Sequence, residues 1–448
     1  MARFIGIRHR VKRTADGEAK PTLVTIRHED GEIRLKLEDE QAELDFVNNK
    51  FPVSWRPVNE GEDISGFAKH HLVYEKPAKG EKKIKDPKVV EVPDKYEGLQ
   101  AGDTVAMVLG GSGDRLAFAM SRRAEEIGAA VIRLTPANLK VRRGEERKDD
   151  DDMVLAELAL KEPEIFWPTN IRDRAVIELR ELFNAREDAQ KARIACEQRL
   201  MSRAIGKVFL SKDGHYSEGA LEDLFDELKA SDKILAGLVE EEGARNKEFM
   251  AAVRATEVFQ QIFEPVNGLG ESISARLIAS IGDIRRFKSE SAFQAFCGLH
   301  LQVATEENGK PIIRKLATGE KASDFKVMFP RRRRGALSNW QPMARQAWFL
   351  LGTQIAVYKR GGKWRSMFEH YVQVFRERHP EWCTKCDKPY SECGKKSHKR
   401  RYSDPHIKKM AMWRTLSRLS RWVYREWMKL ELTEQAKLEA PPQQATGT

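Results

Sequence analysis

Apolar positions change their period twice along this chain. Near the N-terminus they form short runs at residues 3–8, 23–27, 33–37, 104–109 and 130–134, which predict strands. Between these runs, spacing of three and four predicts helices over 41–48, 115–127 and 152–160. Residues 1–165 therefore read as an α/β domain. The stretch 76–98, rich in Lys, Pro and Glu, reads as a mobile insertion. From residue 171 the spacing is helical throughout. Ala175, Leu179, Leu182, Ala185, Ala189, Ala192, Cys196 and Leu200 make one seam, and small residues along it permit close helix approach. Gly206 and Lys212-Asp213-Gly214 break the pattern. A return arm then carries Leu224, Leu228, Leu235, Leu238, Phe249, Val253 and Ile262. Residues 171–263 thus predict a helical hairpin of coiled-coil type or a dimer arm, and an ordinary bundle has the same period. Further helices over 338–356, 363–378 and 404–431 make 264–432 an all-α domain. Residues 433–448, with Pro441-Pro442-Gln443-Gln444, read as a disordered tail.

One turn stands out. In Pro265-Val266-Asn267-Gly268-Leu269-Gly270-Glu271-Ser272-Ile273-Ser274-Ala275-Arg276-Leu277, two glycines open an apolar helix that ends near Gly282. Glycine lets backbone approach a ligand closely, and a helix start offers N–H groups to an anion. Gly268, Gly270, Ser272, Ser274 and Arg276 are candidate nucleic-acid contacts.

Charge sharpens this reading. Residues 331–429 hold 25 Lys/Arg against 7 Asp/Glu, a balance of +18, so the rest of the chain stands near −7. Seven of the nine tryptophans lie in the same segment: Trp340, Trp348, Trp364, Trp382, Trp413, Trp422 and Trp427. Cations with aromatics suit phosphate neutralisation and base stacking. The competing reading is a Trp core under a solvated basic face. The run Arg331, Arg332, Arg333 and Arg334 is a candidate backbone clamp. Five Cys and no signal peptide predict a reducing cytoplasm. No run of 18 apolar residues exists, so no membrane is expected.

Cys383, Cys386, Cys393 and His398 have spacing that can close a tetrahedral structural zinc site, with His406 or His379 as other choices for the fourth ligand. Lys395, Lys396, Lys399, Arg400 and Arg401 surround it and would offer cations to phosphate. This Cys-rich insertion spans 380–402. Cys196 and Cys297 sit on apolar faces and read as core.

The order of these parts resembles the insertion-sequence recombinases guided by bridge RNA, the Nop-domain proteins of TIGR-Tas systems and the Nop domain of box C/D ribonucleoproteins. The residues that carry it are Asn267-Gly268-Leu269-Gly270 through Phe287, then Phe296-Cys297-Gly298-Leu299. Arg133-Leu134-Thr135-Pro136-Ala137-Asn138-Leu139-Lys140, leading to Lys148-Asp149-Asp150-Asp151-Asp152, is similar to the end of the family's RuvC-like domain. The resemblance implies a RuvC-like, RNase H-like N-terminal domain, a coiled coil and a Nop-like helical domain. It also implies a guide RNA, a DNA target and a homodimer paired through the coiled coil.

The departures from the family concern catalysis. A RuvC-like nuclease needs converging carboxylates to hold divalent metals. Where the family's first strand ends in Gly-Ile-Asp, this chain has Gly6-Ile7-Arg8. Where the second strand ends in Glu, it has Val108-Leu109-Gly110-Gly111. The segment 300–322, where a recombinase would place its Ser nucleophile, has no Ser. Only the acidic run 149–152 remains, and its bland reading is a solvated loop or helix start. The expectation is an RNA-guided DNA-binding protein without its own nuclease and with no catalytic residues, like the nuclease-lacking members of the TIGR-Tas group. The alternatives are an active transposase that draws on Asp103, Asp114 or Glu125, and an RNA-only scaffold.

Overall fold

In the computed structural model, strict alternation along the central strands sends successive side chains to two different cores. The structure describes residues 3–11, 19–28, 31–75, 87–144, 147–212, 219–303, 310, 313–315, 321–325, 327–330, 338–359, 362–386, 388–395 and 397–439. The chain divides into two units, Met1–Arg174 and Ala175–Thr448.

In the first unit, β1 (Phe4–Arg8), β2 (Thr22–His28) and β3 (Gly31–Leu37) form an antiparallel meander. After α1 (Glu40–Val47) come β4 (Phe51–Pro57), β5 (Val73–Tyr74) and β6 (Val89–Glu97), which make a separate three-stranded sheet in the order β4-β6-β5. The chain then returns to the main sheet as β7 (Thr104–Val108), crosses over through α2 (Asp114–Ile127) and continues as β8 (Ala130–Leu134). Helices α3 (Pro136–Arg143) and α4 (Asp151–Lys161) and the short β9 (Trp167–Pro168) complete it. The six strands lie in the order β3-β2-β1-β7-β8-β9, with β7 parallel to β1 and β8 parallel to β7.

Ile5, Ile7, Val105, Met107 and Val131 pack under Phe46, Leu116 and Met120 of α1 and α2. Phe4, Ala106, Val108 and Ile132 face Val154, Leu155 and Leu158 of α4 on the other side. Gly6 lies on that second face. A Cβ there would collide with the Asp152 carbonyl oxygen and the Ala156 nitrogen, so glycine is what lets α4 lie directly on β1. The expected mobile insertion is corrected in part. Residues 89–97 are a strand paired with β4, whose Val92 is buried, while 76–86 lie outside the described residues.

The second unit is mostly helical. Helix α5 (Ile171–Phe209) passes through Gly206 without a break, and the return arm is two helices, α6 (Ala220–Ser231) and α7 (Lys233–Ala255). Asp232 makes the division by accepting the Leu235 N–H as an N-cap. The arms are antiparallel: Phe183 packs against Phe249 with centroids 5.4 Å apart and the rings tilted, Arg193 reaches Glu242 at 2.5 Å, and Cys196 and Leu200 bury against Leu235. Ala192, expected in the seam, is exposed.

A π turn at Phe259–Phe263 leads to α8 (Glu271–Ile281) and α9 (Glu290–Phe296). Two small strand pairs follow. β10 (Gln302–Val303) pairs with β13 (Val327–Met328), and β11 (Ile313–Lys315) pairs with β12 (Lys321–Phe325). Helices α10 (Pro342–Ala356) and α11 (Lys363–Arg378), the strand pair β14 (Trp382–Cys383) and β15 (Arg400–Arg401), and α12 (Asp404–Glu439) finish the chain. Helix α12 continues through residues 433–439, part of the expected tail, and 440–448 lie outside the described residues.

Candidate functional site

Two places bring together the chemistry singled out in the sequence, and a third holds the Gly turn. The first is where α4 begins, over the end of β1. Asp149 and Asp150 sit in a 3-10 turn, and Asp151 and Asp152 open α4. The acidic helix start is thus present, but it is not simply solvated. Asp152 is fully buried. It accepts the Thr25 hydroxyl at 2.8 Å and both arms of the Arg34 guanidinium at 2.8 and 2.9 Å. Asp151 accepts from Arg143 at 2.6 Å; loss of solvent raises its pKa and Arg143 opposes the rise. Asp150 lies 3.4 Å from Arg34. Asp149, with a side chain 72% exposed, is held below the ordinary carboxylate range by Lys20 at 2.7 Å, with Arg8 adding a contact at 3.2 Å. Four carboxylates therefore face four cations: Arg8, Lys20, Arg34 and Arg143.

Each acid considered as a substitute is likewise held. Asp103 is at the opposite end of β7, bidentate with Arg3 at 2.7 and 2.6 Å. Asp114 bonds Arg133, and Glu125 meets Arg174 at 2.5 Å. Sequence reasoning missed Lys20, Arg34 and Arg143 as partners. The available signal was Arg34 on a strand next to the buried Thr25, with which it pairs across β2 and β3.

The second place is the knuckle between α11 and α12. Antiparallel pairing of Cys383 with Arg400 brings the start of the loop to its end. His398 Nδ1 then lies 3.6, 3.2 and 3.4 Å from the Sγ atoms of Cys383, Cys386 and Cys393, and Cys386 lies 3.6 Å from Cys393. Zinc bonds of about 2.3 Å to sulfur and 2.0–2.1 Å to nitrogen imply tetrahedral edges of roughly 3.5–3.8 Å. The cluster fits that ion. Burial opposes ionisation of Cys383, yet the N–H groups of Cys386 and Lys385, with Cys393 and His398, bring its thiol down to about 6. Cys386 is pushed up to about 11 by its hydrogen bond with Cys393 and by loss of solvent. His379 and His406 pack against Tyr402 at the base of the knuckle, leaving His398 as the fourth member. Lys395, Lys399, Arg400 and Arg401 are exposed around it, with Arg400 also 3.6 Å from Glu381. Lys396 and residues 331–334, both named as candidate contacts, lie outside the described residues.

The third place is the Gly turn. Gly268 has φ 93°, a conformation that favours glycine. Gly270 does not need to be glycine for folding, since it is extended at φ −65° and a Cβ would meet open space. Gly270 and Ser272 are exposed at the start of α8. Ser274 is instead buried, and its hydroxyl donates to the Gly270 carbonyl at 3.2 Å, so it tightens the turn from inside rather than facing a ligand. Arg276 is half-buried, 3.8 Å from Glu187 of α5.

The tryptophans settle mainly into the core. Trp348, Trp364, Trp413 and Trp427 are buried among α8–α12, and Trp422 packs half-buried against them. Arg345 lies 5.0 Å from both Trp340 and Trp413, and the exposed Lys363 lies over Trp364 and Trp422, so these rings have cation partners within the chain. Base stacking by these four buried rings is thereby corrected. Cys297 is core as expected, its thiol pushed up to about 12 by burial.

No curated protein matches the chain. Among protein-family models, that of the transposase IS116/IS110/IS902 family matches residues 260–305, the segment that contains the Gly turn, α8 and α9. The chain is transposase-like there, and the match supports a transposase-related superfamily.

Proposed function

We propose that this protein binds a guide RNA and, through it, double-stranded DNA, and that it has no nuclease activity of its own. The transposase-like segment at 260–305 and the +18 balance of residues 331–429 support nucleic-acid binding. The order β3-β2-β1-β7-β8, with an acidic helix over the end of β1, supports a RuvC-like, RNase H-like first domain. The helices from 264 onward are read as the Nop-like part. The hairpin of α5 with α7 is read as the arm that pairs two copies, and exposed Leu210 and Ile234 near its end support that. The cell compartment is read as a prokaryotic cytoplasm.

One observation carries the reading. Arg8 stands at the end of the central strand, and every carboxylate of the nearby acidic run is already paired with a cation. Two-metal chemistry needs several carboxylates free to hold cations about 3.5–4 Å apart. The knuckle fits structural zinc, which would brace a loop that presents Lys395, Lys399, Arg400 and Arg401 to phosphate.

The test starts with sequencing RNA that co-purifies with the full chain. The complex is then incubated with matching duplex DNA and magnesium or manganese, beside an Asp149→Asn/Asp150→Asn/Asp151→Asn/Asp152→Asn variant. Binding without cutting is expected from both. Cutting by the parent that is lost in the variant would overturn the inactive reading. RNA-free protein, with RNA binding indifferent to salt, would sink the guided-binder reading.

A further inference from the structure

We infer that Asp45, His70 and His71 form a second metal site, suited to zinc or a chemically similar divalent cation, which fastens the three-stranded insertion to α1. Asp45 is a buried carboxylate on α1. Its Oδ1 accepts the Gln41 side-chain N–H at 3.1 Å. Its Oδ2 meets two imidazoles at once, His70 Nε2 at 2.8 Å and His71 Nε2 at 2.7 Å. Successive residues of a helical turn normally diverge. Here both rings of the turn Lys69–His71 lean onto one oxygen, with centroids 4.1 Å apart. Trp55 of β4 pins that turn by donating to the His71 carbonyl at 3.0 Å.

The chemistry of this donor set is specific. Two imidazoles and a carboxylate suit zinc, cobalt or nickel better than magnesium or calcium, which prefer oxygen alone. The three ligand atoms lie within 4.8 Å of one another. Bonds of about 2.0–2.2 Å from zinc to nitrogen and oxygen put neighbouring ligand atoms of a tetrahedral site roughly 3.3–3.6 Å apart. The two N···O separations, 2.8 and 2.7 Å, are shorter than that span, as direct hydrogen bonds are. A cation entering between them replaces two hydrogen bonds crowded on one oxygen with three ligand bonds, as the rings and the carboxylate draw apart by roughly 0.5–0.9 Å. Each neutral ring moves its Nε2 proton to Nδ1, which frees the nitrogen lone pair. The His70 side chain is 45% exposed, whereas that of His71 is 6% exposed, so one wall is open for entry and for completing water ligands. Gln41 orients the carboxylate from behind, as second-layer partners of metal ligands do.

The experiment strips the full chain with a chelator, reloads it with Zn2+ and counts bound metal by elemental analysis and competition titration. Two equivalents per chain are expected. A Cys383→Ser/Cys386→Ser variant should keep one. His70→Ala, at an exposed position where folding is not at stake, should lose the other and leave the knuckle's equivalent in place. Gln41→Ala should weaken the second equivalent about tenfold. With Co2+, the knuckle should give thiolate charge-transfer absorption that the second equivalent lacks. A single equivalent at saturating Zn2+ that the cysteine variant abolishes, or a second equivalent unchanged by His70→Ala, would overturn the proposal.

Discussion

Arg34 and Arg8 reach the same acidic run, yet the two side chains differ in weight. Arg34 serves Asp152, which has no solvent of its own, while Arg8 serves an Asp149 that is mostly in water. Removing the partner of a buried charge leaves that charge stranded, whereas exposed pairs contribute little. Arg34→Ala should therefore destabilise the first unit by about 2–4 kcal/mol in urea unfolding. Arg8→Ala should change it by less than about 1 kcal/mol. Equal effects would show that Asp152 finds another partner. Gly6→Ala belongs at this scale too, because the new methyl has only the α4 backbone to push against. A loss of about 1–3 kcal/mol or more is expected, read in the same unfolding experiment. The Arg at the end of β1 was legible in the sequence. Its partners were not, because side chains 129 and 141 positions apart, such as Lys20 and Arg8 with Asp149, meet only through the sheet.

At the scale of elements, periodicity located most of what formed. The strand expected at 130–134 is β8, and the acidic helix expected at 152–160 is α4, longer by one residue at each end. The errors have physical causes. Gly206 stayed helical because a lone glycine costs a helix only about 1 kcal/mol, which a 39-residue helix absorbs. Strand β6 was hidden by the Lys- and Pro-rich composition around it, and what reveals it is pairing with β4. The Gly turn gives a clean pair of variants. Gly268→Val forces a β-branched residue to φ 93° and should lower stability, whereas Gly270→Val has open space and should fold normally. Loss of RNA binding by folded Gly270→Val in a filter assay would place ligand at the start of α8. Unchanged affinity would make the turn a corner of the fold. Zinc removal should loosen 382–401 while the α8–α12 core stays helical by circular dichroism, since that core is built without the knuckle. Global melting on chelation would contradict this.

At the scale of the whole chain, charge and aromatic content had to be read apart. The +18 segment remains a strong cation source, but its buried tryptophans fill a core, so affinity should be mainly electrostatic. Binding should fall steeply with salt, by about one counterion per phosphate contact. Replacing Lys395, Lys399, Arg400 and Arg401 with Ala should make the log–log salt slope shallower by roughly 2–4. An unchanged slope would move the phosphate contacts away from the knuckle.

The ion pairs over β1 also govern which evolutionary routes are open. Turning Arg8 alone into a carboxylate would set it beside Asp149, which Lys20 holds, while Arg34 and Arg143 still hold the remaining acids. Removing Arg34 first would strand Asp152 in the interior. Either first step lowers stability before any new activity can be selected, so the present arrangement behaves as a ratchet: easy to keep, and reversible only through several coordinated changes.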